Sequence, residues 1–347
     1  MPLTQLNFQP GIDTENTPTG AEGRWIDCDK IRFRKGLPQK IGGWTKFSPA
    51  YYVGVGRALE QWFSLNGSRF EALGTDRKIY VYQSGDNQDI TPIRSTEALV
   101  NAITTTNTSN VVTITDTSHG ALQGDFVTLS SVSTDVGGIP AATLDAEYEI
   151  LSIANANAYT IKSSATATST VGPTANCTVN YQLNIGPSIQ TFGYGWGAGT
   201  WSAGTWGTPR TTSQIILDAR LWSINNWGED LIITQKDGGT YEWDTSLGMT
   251  DNRATVVANA PTTSTLSVIS TETRHVVCMG TETAIANTAT QDKMFIRWSD
   301  QENYNQWTPN VTNSAGSQRI AGGSEIRCAR PAKGTILVWT DTTMQSM

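Results

Sequence analysis

Apolar and polar residues alternate along much of this chain, the two-residue period of strands with one buried face. Val111 to Thr117 alternates and ends at a His119-Gly120 turn, Asp125 to Leu129 alternates before Gly137-Gly138, and Glu147 to Ile153 resumes the period up to Asn155-Ala156-Asn157. With Tyr159 to Lys162 and Cys177 to Leu183 these make about five short strands, enough for a small sandwich or barrel. The Ala/Thr/Ser run from Ser163 to Thr170 reads as a loop or a flat strand.

On either side of this block a second pattern recurs: strand, turn, strand. Phe70 to Asp76 is followed by Ile79 to Tyr82, and Asp230 to Gln235 by Thr240 to Trp243 across Lys236-Asp237-Gly238-Gly239. His275 to Gly280 pairs in the same way with Lys293 to Trp298 through a longer loop, and Ile336 to Thr340 with a strand at Met344. Irregular spacings with two central strands per repeat predict propeller blades rather than a solenoid. The last repeat stops at Met347 inside a hairpin, so the pattern predicts further sequence or strands supplied by another chain.

Composition sharpens the division. Charged residues are 16% of the 347, and threonine alone fills fifty positions, a β-branched excess that favours strands. From Glu97 to Ile185 there are seven acids, one base (Lys162) and none of the 12 tryptophans. The expected organisation is therefore all-β: residues 1–96 an N-terminal arm and the first part of a propeller-like body, 97–185 an inserted acidic β-sandwich or barrel, and 186–347 the rest of the body. The net charge of −7 argues against wrapping nucleic acid through a basic face, though not against nucleic acid passing nearby. No apolar run reaches the length of a membrane span, and the start has no secretory pattern.

Candidate chemistry is sparse. Cys28, Cys177, Cys278 and Cys328 are too scattered for a zinc site and read as thiols in a reducing compartment; no cofactor, metal or catalytic constellation is expected. Asp13, Glu15, Asp27 and Asp29 read as solvated charges, and His119 as a turn residue. Arg297-Trp298-Ser299-Asp300-Gln301 resembles the Ser-x-Asp boxes of sialidase propellers, but the Gly and Trp that should follow are out of place. Two segments stand out. Between Arg24 and Trp44, Ile31 and Phe33 alternate with Lys30, Arg32 and Arg34, then Lys35 precedes a turn at Gly36-Leu37-Pro38; this is a basic strand for a neighbouring subunit or DNA, or an edge charged against aggregation. The glycine-rich run from Phe192 to Gly207 offers Tyr194, Trp196, Trp201 and Trp206 as contact aromatics without the basic groove of a single-strand platform.

With Phe8 to Asp13, Trp307-Thr308-Pro309 and Ile336 to Asp341, these segments make the chain resemble the nozzle proteins of short-tailed bacteriophages, also called tail tubular or packaged-DNA-stabilisation proteins. The resemblance implies a non-enzymatic virion protein of the tail, assembled in the bacterial host cytoplasm. It implies a homo-oligomeric ring, a hexamer, below the portal and adaptor and beside tail fibres or needle. Double-stranded DNA would be retained and then conducted through the lumen without sequence-specific binding. The rival expectation is a carbohydrate-binding or depolymerase-type propeller or tail adhesin, resting on the tryptophans; a weaker third is a DNA-binding module acting through Lys30 to Lys40.

Overall fold

The structure is a computed structural model that describes residues 9–43, 45–46, 48–49, 51–190 and 218–347. The chain divides into two compact units, residues 1–49 and 50–347, so the arm and the first blade, joined as 1–96 by the sequence pattern, fall in different units. The fold is all-β and propeller-like. Among the described residues the one α-helix is the single turn Ala141–Leu144.

Four antiparallel sheets form the blades. Blade 1 comprises Gly56–Phe63, Arg69–Thr75, Ile79–Gln83 and Asp86–Asp89, and blade 2 Trp222–Trp227, Asp230–Gln235, Thr240–Trp243 and Thr255–Val256. Blade 3 comprises Leu266–Ile269, Val276–Met279, Phe295–Trp298 and Gly316–Arg319; blade 4 comprises Ile326–Ala332, Thr335–Thr340 and Met344–Ser346. The hairpins expected from the sequence are the second and third strands of each blade. Each first strand, which the repeat pattern did not include, lies just before its hairpin.

Apolar packing joins successive blades, with aromatic rings in the first two interfaces. Between blades 1 and 2, Trp62 stacks on Phe70 at 5.2 Å, and Trp243 meets both edge-on at 6.1 and 6.0 Å. The buried indoles satisfy their N–H groups by donating to carbonyls: Trp62 to Glu229 at 2.8 Å, Trp222 to Thr75 at 2.6 Å and Trp243 to Asn252 at 3.1 Å. Gly74 permits this approach, since a Cβ there would lie 2.7 Å from the Trp222 ring. Trp227, Ile232, Val276, Cys278 and Trp307 fill the next interface, and Val277, Met279, Ile296, Ile326 and Val338 the one between blades 3 and 4. Among the described residues no apolar cluster joins blade 4 to blade 1. Ala58 and Trp62 face blade 2, so strand alternation turns Leu59 and Phe63 to the opposite side, where they are 70% and 60% exposed.

The acidic block is a single eight-stranded antiparallel sheet around one core, with three strands beyond those the alternation revealed: Ile93–Leu99, Ile103–Thr105 and Val171–Thr174. Residues 163–170 form no strand. They are a pinned loop: Thr108 N–H donates to Ala167 O and Ala167 N–H to Ser109 O, both at 2.8 Å. Ile93–Leu99 pairs with Cys177–Gln182, and Leu183 N–H donates to Pro92 O at 3.0 Å, so the chain leaves and re-enters the body at adjacent points.

Candidate functional site

The basic segment forms a hairpin of Ile31–Arg34 and Leu37–Lys40. Lys35 and Gly36 both take positive φ, 52° and 79°, the two-residue turn whose twist suits a hairpin. The turn is therefore Lys35-Gly36, and Leu37 and Pro38, expected within it, belong to the second strand. Arg32 and Arg34 are exposed while Ile31 and Phe33 are half-buried, with Phe33 6.5 Å from Trp25. Arg32 Nε donates to Gln39 across the strands at 3.1 Å, and Lys30 pairs with Asp29 at 3.2 Å. Arg32, Arg34 and Lys35 make no ion pair among the described residues. An isolated two-stranded ribbon is marginal in water, and this one presents Leu37 at 71% exposure beside its cations.

The acids of the inserted domain have structural employment that composition alone did not show. Asp116 is buried and accepts from Tyr181 Oη at 2.5 Å; Asp125 is buried and accepts from Ile185 N–H at 2.8 Å and Leu122 N–H at 2.7 Å. Glu149 meets Arg77 at 2.5 Å. Glu147 bonds Lys78 and lies 3.4 Å from Arg253. Lys78 is only 3% exposed, holds Asp89 at 2.8 Å and sits 4.1 Å above the Phe126 ring. Burial pushes the Asp89 carboxyl up, but Lys78 and Arg253 outweigh it and hold it below the usual carboxylate range. Two of the seven acids, Glu147 and Glu149, are thus the counter-charge of bases on blade 1 and of Arg253, just before the last strand of blade 2.

The first strands of all four blades line a central cavity of about 630 Å³. Its charged rim includes Arg57 and Glu60 from blade 1, and Arg327 and Arg330 from blade 4. Burial raises the Glu60 carboxyl, and the charge of Arg330 opposes that shift. Lys236 is bound by Asp218 at 2.7 Å and Arg327 by Glu325 at 3.2 Å. Sequence reasoning missed this site because it needs one edge strand from each blade. Its available signal was the alternating run before each hairpin, as in Trp222-Ser223-Ile224.

Tyr194, Trp196, Trp201 and Trp206 lie outside the described residues. Of the other tryptophans, Trp62, Trp222, Trp227, Trp243 and Trp307 are core residues rather than platforms. Burial pushes the Cys177 and Cys278 thiols up to about 11, the opposite of an activated nucleophile. Asp300 receives Ser314 N–H at 2.8 Å and Oγ at 2.7 Å, closing a turn. Asp13 receives Asn16 N–H at 3.2 Å and lies 3.2 Å from Arg24. No cluster of three or more potential metal ligands occurs among the described residues, and no helix there is long and apolar enough to cross a membrane.

No family model and no curated protein sequence matches the chain. Among solved structures it is similar to the phage phi92 endosialidase at 11% identity and a TM-score of 0.26, over 87% of this chain and 43% of that one. Likeness of that degree carries neither the fold assignment, which rests on the sheets themselves, nor any activity.

Proposed function

We propose that this chain is a structural component of a short-tailed phage tail, a nozzle-type protein that assembles with copies of itself. The observation that carries the reading is the uncovered side of blade 1, where Leu59, Phe63 and the following Leu65 are 70%, 60% and 93% exposed. The same layer of every other described blade interface is filled with apolar side chains, and a row of large apolar residues facing water marks an interaction surface. The basic hairpin supplies a second contact: its apolar row would be buried by a protein neighbour, which phosphates alone would not require. Resemblance supports the finer picture of a hexameric ring below the portal and adaptor that retains and conducts double-stranded DNA. In that picture Glu147 and Glu149 are spent within the chain, so repulsion of DNA would fall to Glu97, Asp135 and Asp145, which are exposed.

Sedimentation of the protein alone and with tail partners tests this. The intact chain is expected to form a closed oligomer, and Leu59→Ser/Phe63→Ser to shift it to monomer with an unchanged β spectrum. A wild type that stays monomeric with its partners present, or one copy per native tail, would refute the assignment.

A further inference from the structure

The central cavity is lined by four cations, Arg57, Lys236, Arg327 and Arg330, against three acids, Glu60, Asp218 and Glu325. Lys236 and Arg327 are engaged by acids, and Arg330 lies within electrostatic reach of Glu60 without an ion pair. Arg57 and Arg330 make no ion pair among the described residues, and Arg57 is free of even a distant carboxylate influence of the kind that links Arg330 to Glu60. The backbone gives its placement a cause. Pairing in blade 1 shifts register between Gly56 and Ala58, and in blade 4 between Ile326 and Cys328, so an arginine is the extra residue of a bulge in each end blade. A bulge re-aims the side chain it carries, and both of these arginines line the cavity.

We propose that the cavity binds a carboxylate-bearing small molecule, with Arg57 as its main partner and Arg330 as the second. The planar guanidinium fork matches a carboxylate with two parallel hydrogen bonds. One surplus positive charge suits a monoanion, whereas a doubly charged phosphate would meet the three acids without compensation. A volume of about 630 Å³ is that of a small-molecule site and far exceeds a bare carboxylate. The rest of the ligand therefore has Leu59 and Leu221 to pack against and Ser223 and Gln190 to hydrogen-bond. Glu60, half-buried with a raised carboxyl, is placed to bond a ligand hydroxyl. A hydroxy acid and the uronate unit of an acidic saccharide share this chemistry. One chain builds the cavity, so the inference does not require the assembly proposed above, although the two share Leu59, which lines the cavity and lies on the uncovered side of blade 1.

Calorimetric titration of the full chain with glucuronate, lactate, glucose and inorganic phosphate decides it. Glucuronate or lactate should saturate at one per chain, with glucose at least tenfold weaker. Tighter binding of glucuronate would make the source a uronate, and equal or tighter binding of lactate a free hydroxy acid. Arg57 is exposed, so Arg57→Ala should fold normally and bind at least tenfold more weakly, with Arg57→Lys in between. Absence of saturation with either carboxylate, phosphate binding as tightly as both, or unchanged affinity in a folded Arg57→Ala protein would overturn the proposal.

Discussion

Replacing Lys78 with methionine tests whether the inserted domain is locked to the body by charge. The side chain keeps its apolar stem against Phe126 but loses the ammonium that Asp89 and Glu147 share. Removing one partner of a buried ion pair costs about 3–5 kcal/mol, because the remaining charge stays desolvated. Arg253 remains, 3.3 Å from Asp89 and 3.4 Å from Glu147, and the Glu147 side chain keeps 34% exposure, so the expected loss is about 2–3 kcal/mol. For a cooperative unit of this size that corresponds to a melting shift of about 4–6 °C. Stability alone does not identify the junction; coupling does. Lys78 lies in the loop between two blade strands and Glu147 begins an insert strand, so a cycle of Lys78→Met, Glu147→Gln and the double variant measures the link itself. Denaturant unfolding should give a coupling of at least about 1 kcal/mol. Singles that add to within about 0.5 kcal/mol would show that the two charges stabilise their own domains separately, and the reasoning fails.

Other outcomes follow from neighbouring features. Excising residues 93–182 joins Pro92 to Leu183, already hydrogen-bonded, and should leave a soluble β-rich body by circular dichroism, though weakened because Lys78 and Arg253 lose Glu147. The Asp89 carboxyl is lowered on folding, so its contribution is complete above the ordinary aspartate value near 3.9 and fades as pH falls below it; Asp89→Asn should flatten the acid limb of a stability profile. Gly74→Ala drives a methyl into the Trp222 ring and should cost about 1–3 kcal/mol in chemical denaturation. Arg32→Glu/Arg34→Glu should reduce rings counted by microscopy while monomers stay folded; intact rings in particles that leak DNA would instead mean that the hairpin touches DNA.

What the sequence by itself determined is what local chemistry dictates. Short apolar runs on either side of a turn or loop named the second and third strands of every blade, because residues such as Ile232 and Val277 must be buried wherever the sheet ends up. The basic hairpin was legible for the same reason, with Arg32 and Arg34 outside and Ile31 and Phe33 inside. Its turn was misplaced by one step, since Pro38 is as acceptable in an edge strand as in a turn. The tertiary structure alone decided how elements distant along the chain meet. Ile103–Thr105 and Val171–Thr174 are too short to show a period and exist by pairing, the first on Val111–Thr115 and the second on the first. The acidity of residues 97–185 read as a surface property, yet Lys78 and Arg253, outside that block in sequence, take up Glu147, while Asp116 and Asp125 turn inward. The cavity is the clearest case: Arg57 and Arg330 are separated by most of the chain, and only the ring of first strands makes them neighbours of one space. Coulomb and packing terms depend on distance in space, and a linear pattern records distance only along the backbone.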